Sequence, residues 1–261
     1  MKGYGDPYKN KKNKNTKLSK EQIINQAIKL HLKGNIREAI KYYQQIIKVG
    51  WNDPRVFANY GIILRNLGNL KEAEISFRKA IALNPNLANA HSNLGNLLKD
   101  LGNLKEAEIY QRKAIKLNPS LANAHSNLGN VLRDLGKFQD AEVSIRKAIA
   151  LNPDLAEAHS NLGIILKDLG QLKDAEVSIR KAIALNPDLA IAYYSLSQFQ
   201  VFDANTKWRE KLFSKNLLNN KSKNDQINIY FARANILHKE KNYEESYKSL
   251  KLANQLKIYL H

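Results

Sequence analysis

The sequence predicts an all-α protein built as a solenoid of antiparallel helix pairs, and three observations carry that expectation. Pro85, Pro119, Pro153 and Pro187 recur at intervals of 34 residues. Between them apolar residues return at helical spacing, and Gly and Pro punctuate both ends of each periodic stretch. A fixed period of this length marks stacked supersecondary units, each of which buries its apolar side only against its neighbours.

With the proline as position 32 of the unit, repeats fall at 20–53, 54–87, 88–121, 122–155 and 156–189, the first being the most divergent. Residues 1–19 precede them as a basic tail, expected to be disordered and solvated. Region 190–226 loses the pattern and reads as a degenerate helical repeat. The pattern revives in a divergent last unit at 227–261, through KNYEESYKSLKLANQLK.

Each unit reads as two helices. In 88–121, Leu94, Leu98 and Leu101 recur at helical spacing and Gly102 ends the first helix. Leu104, Ala107, Ala114 and Ile115 then mark the apolar face of the second. Gly61, Gly95, Gly129 and Gly163 sit inside first helices, where glycine costs about 1 kcal/mol against alanine unless something must approach closely. The small residues Ala73, Ala107, Ala141 and Ala175 are the expected partners in such tight packing.

Gly or Ala at position 8, Ala at positions 20 and 27 and Pro at position 32 resemble the tetratricopeptide repeat. The resemblance covers 20–189 strongly and 227–260 weakly. It implies a right-handed superhelix of stacked helix pairs, with the first helix of each pair lining the concave face, and it implies a protein partner. One departure is Gln111, which stands where Phe77, Ile145 and Ile179 stand in other units; Tyr110 beside it is the expected core substitute.

Position 6 of the unit is Asn25, Asn59, Asn93, Asn127 and Asn161, five in succession, although Asn is a mediocre helix former. On the same helical face stand Asn89, Asn96 and Asp100, then Asn123, Asn130 and Asp134, then Glu157, Ile164 and Asp168. Position 2 varies as Glu21, Arg55, Asn89, Asn123 and Glu157, and the divergent first repeat still keeps Asn25. Duplication and a total of 31 Asn in 261 residues offer a plainer origin. A functional ladder is the preferred reading.

An Asn side chain offers a carbonyl and an amine side by side, matching the N–H and C=O of a peptide backbone. With helices some 8–10 Å apart and ~3.3 Å per extended residue, rungs one repeat apart would meet about every third residue of an extended chain. The candidate peptide-binding residues are therefore Asn25, Asn59, Asn93, Asn127 and Asn161, with Asn96, Asn130, Asp100, Asp134 and Asp168 beside them. For the three aspartates, capping the following helix or pairing with Lys99, Arg133 or Lys167 is the preferred reading. The array, down to the wording AHSNLGN, is similar to the asparagine ladder in the repeats of protein O-GlcNAc transferases. A clamp for a chaperone-tail carboxylate would want Lys at position 5, where this chain has Ala58, Ser92, Ser126 and Ser160.

Charge and composition narrow the function classes. The net charge of +18 is concentrated at the flanks: residues 1–20 hold seven lysines against one aspartate, and 190–261 twelve basic against six acidic groups. Such a tail could touch anionic surfaces, but the stripe is amide and acidic rather than Lys/Arg with interleaved aromatics, which disfavours nucleic acid. No apolar run is long enough to span a bilayer and no secretory signal opens the chain, so a cytoplasmic location is expected. There is no cysteine. His91, His125 and His159 recur one full repeat apart, too far to converge on one metal ion, so core-edge packing is expected of them.

No phosphate-cradling loop or catalytic constellation stands out, and neither enzymatic activity nor a cofactor is expected. The expected function is a non-catalytic interaction scaffold holding an extended peptide. The alternative is the substrate-targeting region of a larger or split transferase. In support of that alternative, YFARANILHKEKNYEESYKSLKLANQLK resembles the last repeat before the catalytic domain of bacterial tetratricopeptide-repeat sulfotransferases, though no nucleotide-binding loop follows in this sequence. Leu256, Ile258, Tyr259 and Leu260 are expected to need cover.

Overall fold

The computed structural model describes residues 18–199 and 207–258. Most of the basic tail, together with Tyr259 and Leu260, lies outside them. Among the described residues every regular element is a helix. The chain forms two compact units, Met1–Asn84 and Pro85–His261.

The first unit contains α1 (Lys20–Leu32), α2 (Ile36–Lys48), α3 (Pro54–Asn66) and α4 (Leu70–Leu83). Ser19 opens α1 with a capping box: its hydroxyl accepts from the Gln22 N–H while Gln22 Oε1 accepts from the Ser19 N–H. Asp53 caps α3, whose first residue is Pro54, a position where the missing N–H costs nothing. Ile24, Ala27, Ala39, Tyr43 and Ile46 form the core between α1 and α2. Burial there pushes the Tyr43 hydroxyl up to about 12.

The second unit runs α5 (Ala88–Asp100), α6 (Leu104–Leu117), α7 (Ala122–Asp134), α8 (Phe138–Leu151), α9 (Ala156–Asp168) and α10 (Leu172–Leu185). Then follow α11 (Ala190–Ser197), α12 (Lys207–Phe213), a 3-10 turn (Lys215–Leu218), α13 (Lys223–Lys239) and α14 (Tyr243–Ile258). Pairs α5/α6, α7/α8, α9/α10 and α13/α14 pack as hairpins, and α7 and α9 also pack on the second helices before them. One apolar core threads from Leu128 to Ile236. The short α11 packs on α13 rather than on a second helix of its own, with Tyr194 against Phe231 at 6.0 Å between ring centroids.

The hairpin turn is set by local chemistry. After α5 the chain closes with Gly102 N–H on the Lys99 carbonyl (2.9 Å) and Asn103 N–H on the Leu98 carbonyl (2.8 Å). That pairing needs a left-handed residue, and Gly102 supplies it at φ 79°. Leu101, expected on the apolar face, is instead the C-cap and 39% exposed, and Leu97 fills the core in its stead. After α6, α8 and α10 the Asn-Pro loop folds on its asparagine: Asn118, Asn152 and Asn186 accept the N–H two residues on.

Tight helix pairing explains the helical glycines. A Cβ on Gly163 would stand 2.4 Å from Ile179 Cγ1 and 2.9 Å from the backbone oxygen of Ala175. Gly163→Ala gains about 1 kcal/mol of helix propensity, but a backbone oxygen cannot move aside, and overpacking costs ~1–3 kcal/mol. A net loss on the order of 1 kcal/mol is expected in urea unfolding, against the gain that the same substitution gives in an isolated helix.

Candidate peptide-binding cleft

Within each unit the 34-residue register puts equivalent positions of consecutive first helices side by side. In the second unit, Asn93 on α5, Asn127 on α7 and Asn161 on α9 are all half-buried. In the first unit, Asn25 on α1 is exposed and Asn59 on α3 is half-buried. The neighbouring positions there are charged rather than amide: Arg55 grips Glu21 through two hydrogen bonds of 3.0 and 2.9 Å and also pairs with Asp53 at 2.8 Å. The hydrogen bond from Arg55 holds the Glu21 carboxyl below its usual range.

Faces of α7 and α9, with Ile191 of α11, wall a cleft of about 450 Å3. Asn123, Asn127, Asn130 and Asn161 all line it, so four amides share one hollow. Among its described lining residues Glu157 is the one carboxylate and there is no cation. Asn96 and Asn93 belong to α5, one repeat earlier.

A hydrogen-bond network that sequence reasoning missed orients these amides. Asn127 Nδ2 donates to Ser92 Oγ at 3.2 Å, and Asn161 Nδ2 donates to Ser126 Oγ at 3.4 Å. Ser92 gives its one hydrogen to Gln111 Oε1 at 2.9 Å, so towards Asn127 it can only accept. That fixes which end of the Asn127 amide meets the serine, leaving Oδ1 and one N–H for other partners. Gln111 Nε2 donates onward to the Ser92 carbonyl at 2.9 Å and to Asn96 Oδ1 at 3.0 Å.

Gln111 thus fills the core slot itself, at 0% exposure, with both ends of its amide bonded. Tyr110 is not the substitute; it is half-buried and stacks on His91, ring centroids 5.8 Å apart. The junction is therefore polar and satisfied, not a void.

The ladder stops at α9. Ser195 stands where the next asparagine would, and Ser160, only 1% exposed, keeps its hydroxyl with no hydrogen-bond partner among the described residues. Asn130 Oδ1 is likewise buried without one. Beyond the gap the rung returns, since Asn235 Nδ2 on α13 donates to Ser197 Oγ on α11 at 3.0 Å. The signal for these serines was the HSN triplet, which fixes a serine beside every asparagine in three repeats.

The aspartates sit at helix C-termini. Asp134 pairs with Arg133 at 2.9 Å and with Lys99 of the preceding repeat at 3.7 Å. None of the helices that follow them carries a side-chain cap. The repeated histidines tie loops to helices: Nε2 of His91, His125 and His159 lies 2.9, 3.0 and 2.9 Å from the carbonyl oxygens of Pro85, Pro119 and Pro153. A carbonyl only accepts, so each Nε2 carries the proton. Tyr193 makes the same tie to the Pro187 carbonyl at 2.9 Å. No group of metal-ligating side chains occurs among the described residues, and no described helix is long and apolar enough to cross a membrane.

The family description "Tetratricopeptide repeat" matches residues 88–121, 122–155, 156–189 and 227–257, and "TPR repeat" matches 61–102. The chain belongs to the tetratricopeptide-repeat family. Comparison with curated proteins gives no match. Among solved structures the chain is similar to MamA from Desulfovibrio magneticus RS-1, with 24% identity and a TM-score of 0.54 over 64% of this chain and 94% of that one. It is similar to TTC0263, a thermophilic TPR protein of Thermus thermophilus, at 22% identity and a TM-score of 0.56 over 65% and 92%. PilW, a type IV pilus biogenesis factor, aligns at 19% identity and a TM-score of 0.60 over 87% and 88%. At these identities the likeness speaks for the tetratricopeptide solenoid alone.

Two serine substitutions separate a bonded hydroxyl from an orphaned one. Ser92→Ala strips Gln111 Oε1 of its donor inside the core and is expected to cost ~1–3 kcal/mol. Ser160→Ala removes a hydroxyl that bonds nothing described and is expected to be neutral or slightly stabilising. Paired urea melts of the two variants check the difference.

Proposed function

We propose that this tetratricopeptide-repeat chain is a non-catalytic protein-binding scaffold whose amide-lined cleft holds an extended peptide by its main chain. The observation that carries the reading is the convergence of Asn123, Asn127, Asn130 and Asn161 on one hollow in which Asn130 Oδ1 and Ser160 Oγ lack partners among the described residues. Buried polar groups without partners are rare, and a main chain offers alternating donors and acceptors of the kind they lack.

The chemistry of the wall favours a polypeptide over a polyanion. Amides and hydroxyls with a single carboxylate leave nothing to neutralise phosphates. The serine bonds hold Asn127 and Asn161 in place before a ligand arrives, which lowers the ordering cost of binding. Each neutral hydrogen bond contributes ~0.5–1.5 kcal/mol net, and association entropy opposes them, so a Kd of roughly micromolar order is expected. Because main-chain groups are common to all sequences, selectivity would come from Glu157 at the cleft.

The test replaces Asn93, Asn127 and Asn161 together by Ala and measures binding of unstructured peptides selected from a display library on the unaltered protein. Capture is expected to fall about tenfold or more while the helical circular dichroism is retained. Unchanged affinity in the folded triple variant would overturn the scaffold reading.

A further inference from the structure

The lining of the amide cleft has two parts of different chemistry. Its floor comes from the second turn onward of α7 and α9: Ser126, Asn127 and Asn130, then Ser160 and Asn161, all buried or half-buried. Its rim comes from the starts of the helices. Asn123, Glu157 and Ile191 are the second residues of α7, α9 and α11, with Leu155 just before α9. Floor positions repeat amide and hydroxyl from helix to helix, whereas the rim runs amide, carboxylate, aliphatic. A constant floor suits the part of a ligand that never varies, its main chain, and a changing rim suits side chains.

Two rim groups have chemistry left over. Glu157 is exposed and makes no hydrogen bond or ion pair among the described residues, and no cation lines the cleft with it. One helix on, Ile191 replaces the carboxylate, and Ser195 stands where the floor's next asparagine would. At α11 the cleft therefore turns from amide to aliphatic, with Leu155 as a second apolar group on its lining.

Spacing constrains the ligand's conformation. Packed helices lie roughly 8–10 Å apart, so Glu157 and Ile191 call for two side chains about that far apart on one side of the peptide. In a flat strand, side chains on one side recur every second residue, at ~6.4–6.8 Å. In polyproline II conformation they recur every third residue, at ~9.3 Å, and the main-chain N–H and C=O groups are free of internal hydrogen bonds. The second geometry matches the helix spacing and leaves the main chain to the floor.

We infer that the cleft selects a peptide in polyproline II conformation that sets a lysine or arginine against Glu157 and, three residues away, an aliphatic side chain against Ile191 and Leu155. The inference rests on the peptide reading of the cleft and adds to it the ligand's conformation and two of its side chains.

Capped peptides of serine and glutamine, carrying one lysine and one leucine three residues apart in either order, are titrated calorimetrically into the full chain. Controls replace the lysine by glutamine or glutamate, or move the leucine next to the lysine. The better order is expected to bind at least about threefold tighter than the glutamine and adjacent-pair controls, and about tenfold tighter than the glutamate control. Glu157→Lys is expected to reverse the preference between lysine and glutamate peptides, and Ile191→Ser to remove the dependence on spacing, with helical circular dichroism retained in both. A carboxylate in the first turn also complements the helix dipole, but that role moves stability and not the rank order of peptides. A lysine preference that survives Glu157→Lys overturns the inference. Equal affinities across the set, lost together in the variant with Asn93, Asn127 and Asn161 replaced by Ala, overturn it and leave the peptide reading standing. Binding by none of these peptides also overturns it, and the display selection then decides the peptide reading separately.

Discussion

At Gly129 the second helix of the pair lies so close that a Cβ would stand 2.5 Å from Ile145 Cγ1 and 3.1 Å from the Ala141 carbonyl oxygen. This approach, repeated at Gly95 and Gly163, fixes how the two helices of each hairpin cross, and the next hairpin packs on the surface they make together. Only with that geometry held constant does a side chain come within bonding range of one 35 residues earlier, as Asn161 does with Ser126. Packing at the small residues therefore comes first, and the polar rungs are its consequence.

The rungs brace consecutive first helices without using up the amides that do so. A carboxamide has more hydrogen-bonding capacity than one serine can use, so Asn127 can brace α7 against α5 through one N–H and still present a carbonyl and a second N–H. Gln111 extends the same logic into the core. Its counterparts in other repeats are isoleucine or phenylalanine, whereas here a fully buried amide is tolerated because Ser92 and Asn96 answer both of its ends. Where a partner is missing, as at Ser160, the chain carries an unpaired group at the wall of the cleft.

Much of the fold was legible because a repeat writes its register into the sequence: the prolines gave the period, and the glycines and alanines gave the close faces. What escaped reading depends on partners far apart in sequence. Tyr110 looked like the better core residue than Gln111 on hydropathy, and only the position of Ser92, 19 residues earlier, reverses that order. In the sequence the serines stand out solely as positions without lysine, yet Ser92 and Ser126 accept from Asn127 and Asn161. Some of the asparagine excess has a local cause unrelated to any ligand, since Asn118, Asn152 and Asn186 fold the loops. The pairing of α11 with α13 was invisible because Asn235 and Ser197 are 38 residues apart, outside the 34-residue period.

The most direct measurement follows the side-chain amide resonances of Asn127, Asn130 and Asn161, assigned by single substitution, while a bound peptide is added and then replaced by its main-chain N-methylated counterpart. The expected result is that these resonances move with the first peptide and stay in place with the second, as the proposed grip on main-chain N–H and C=O groups requires. If the peptide instead perturbs the outer faces of α8 and α10 and leaves the three amides unmoved, the cleft is not where this protein holds its partner.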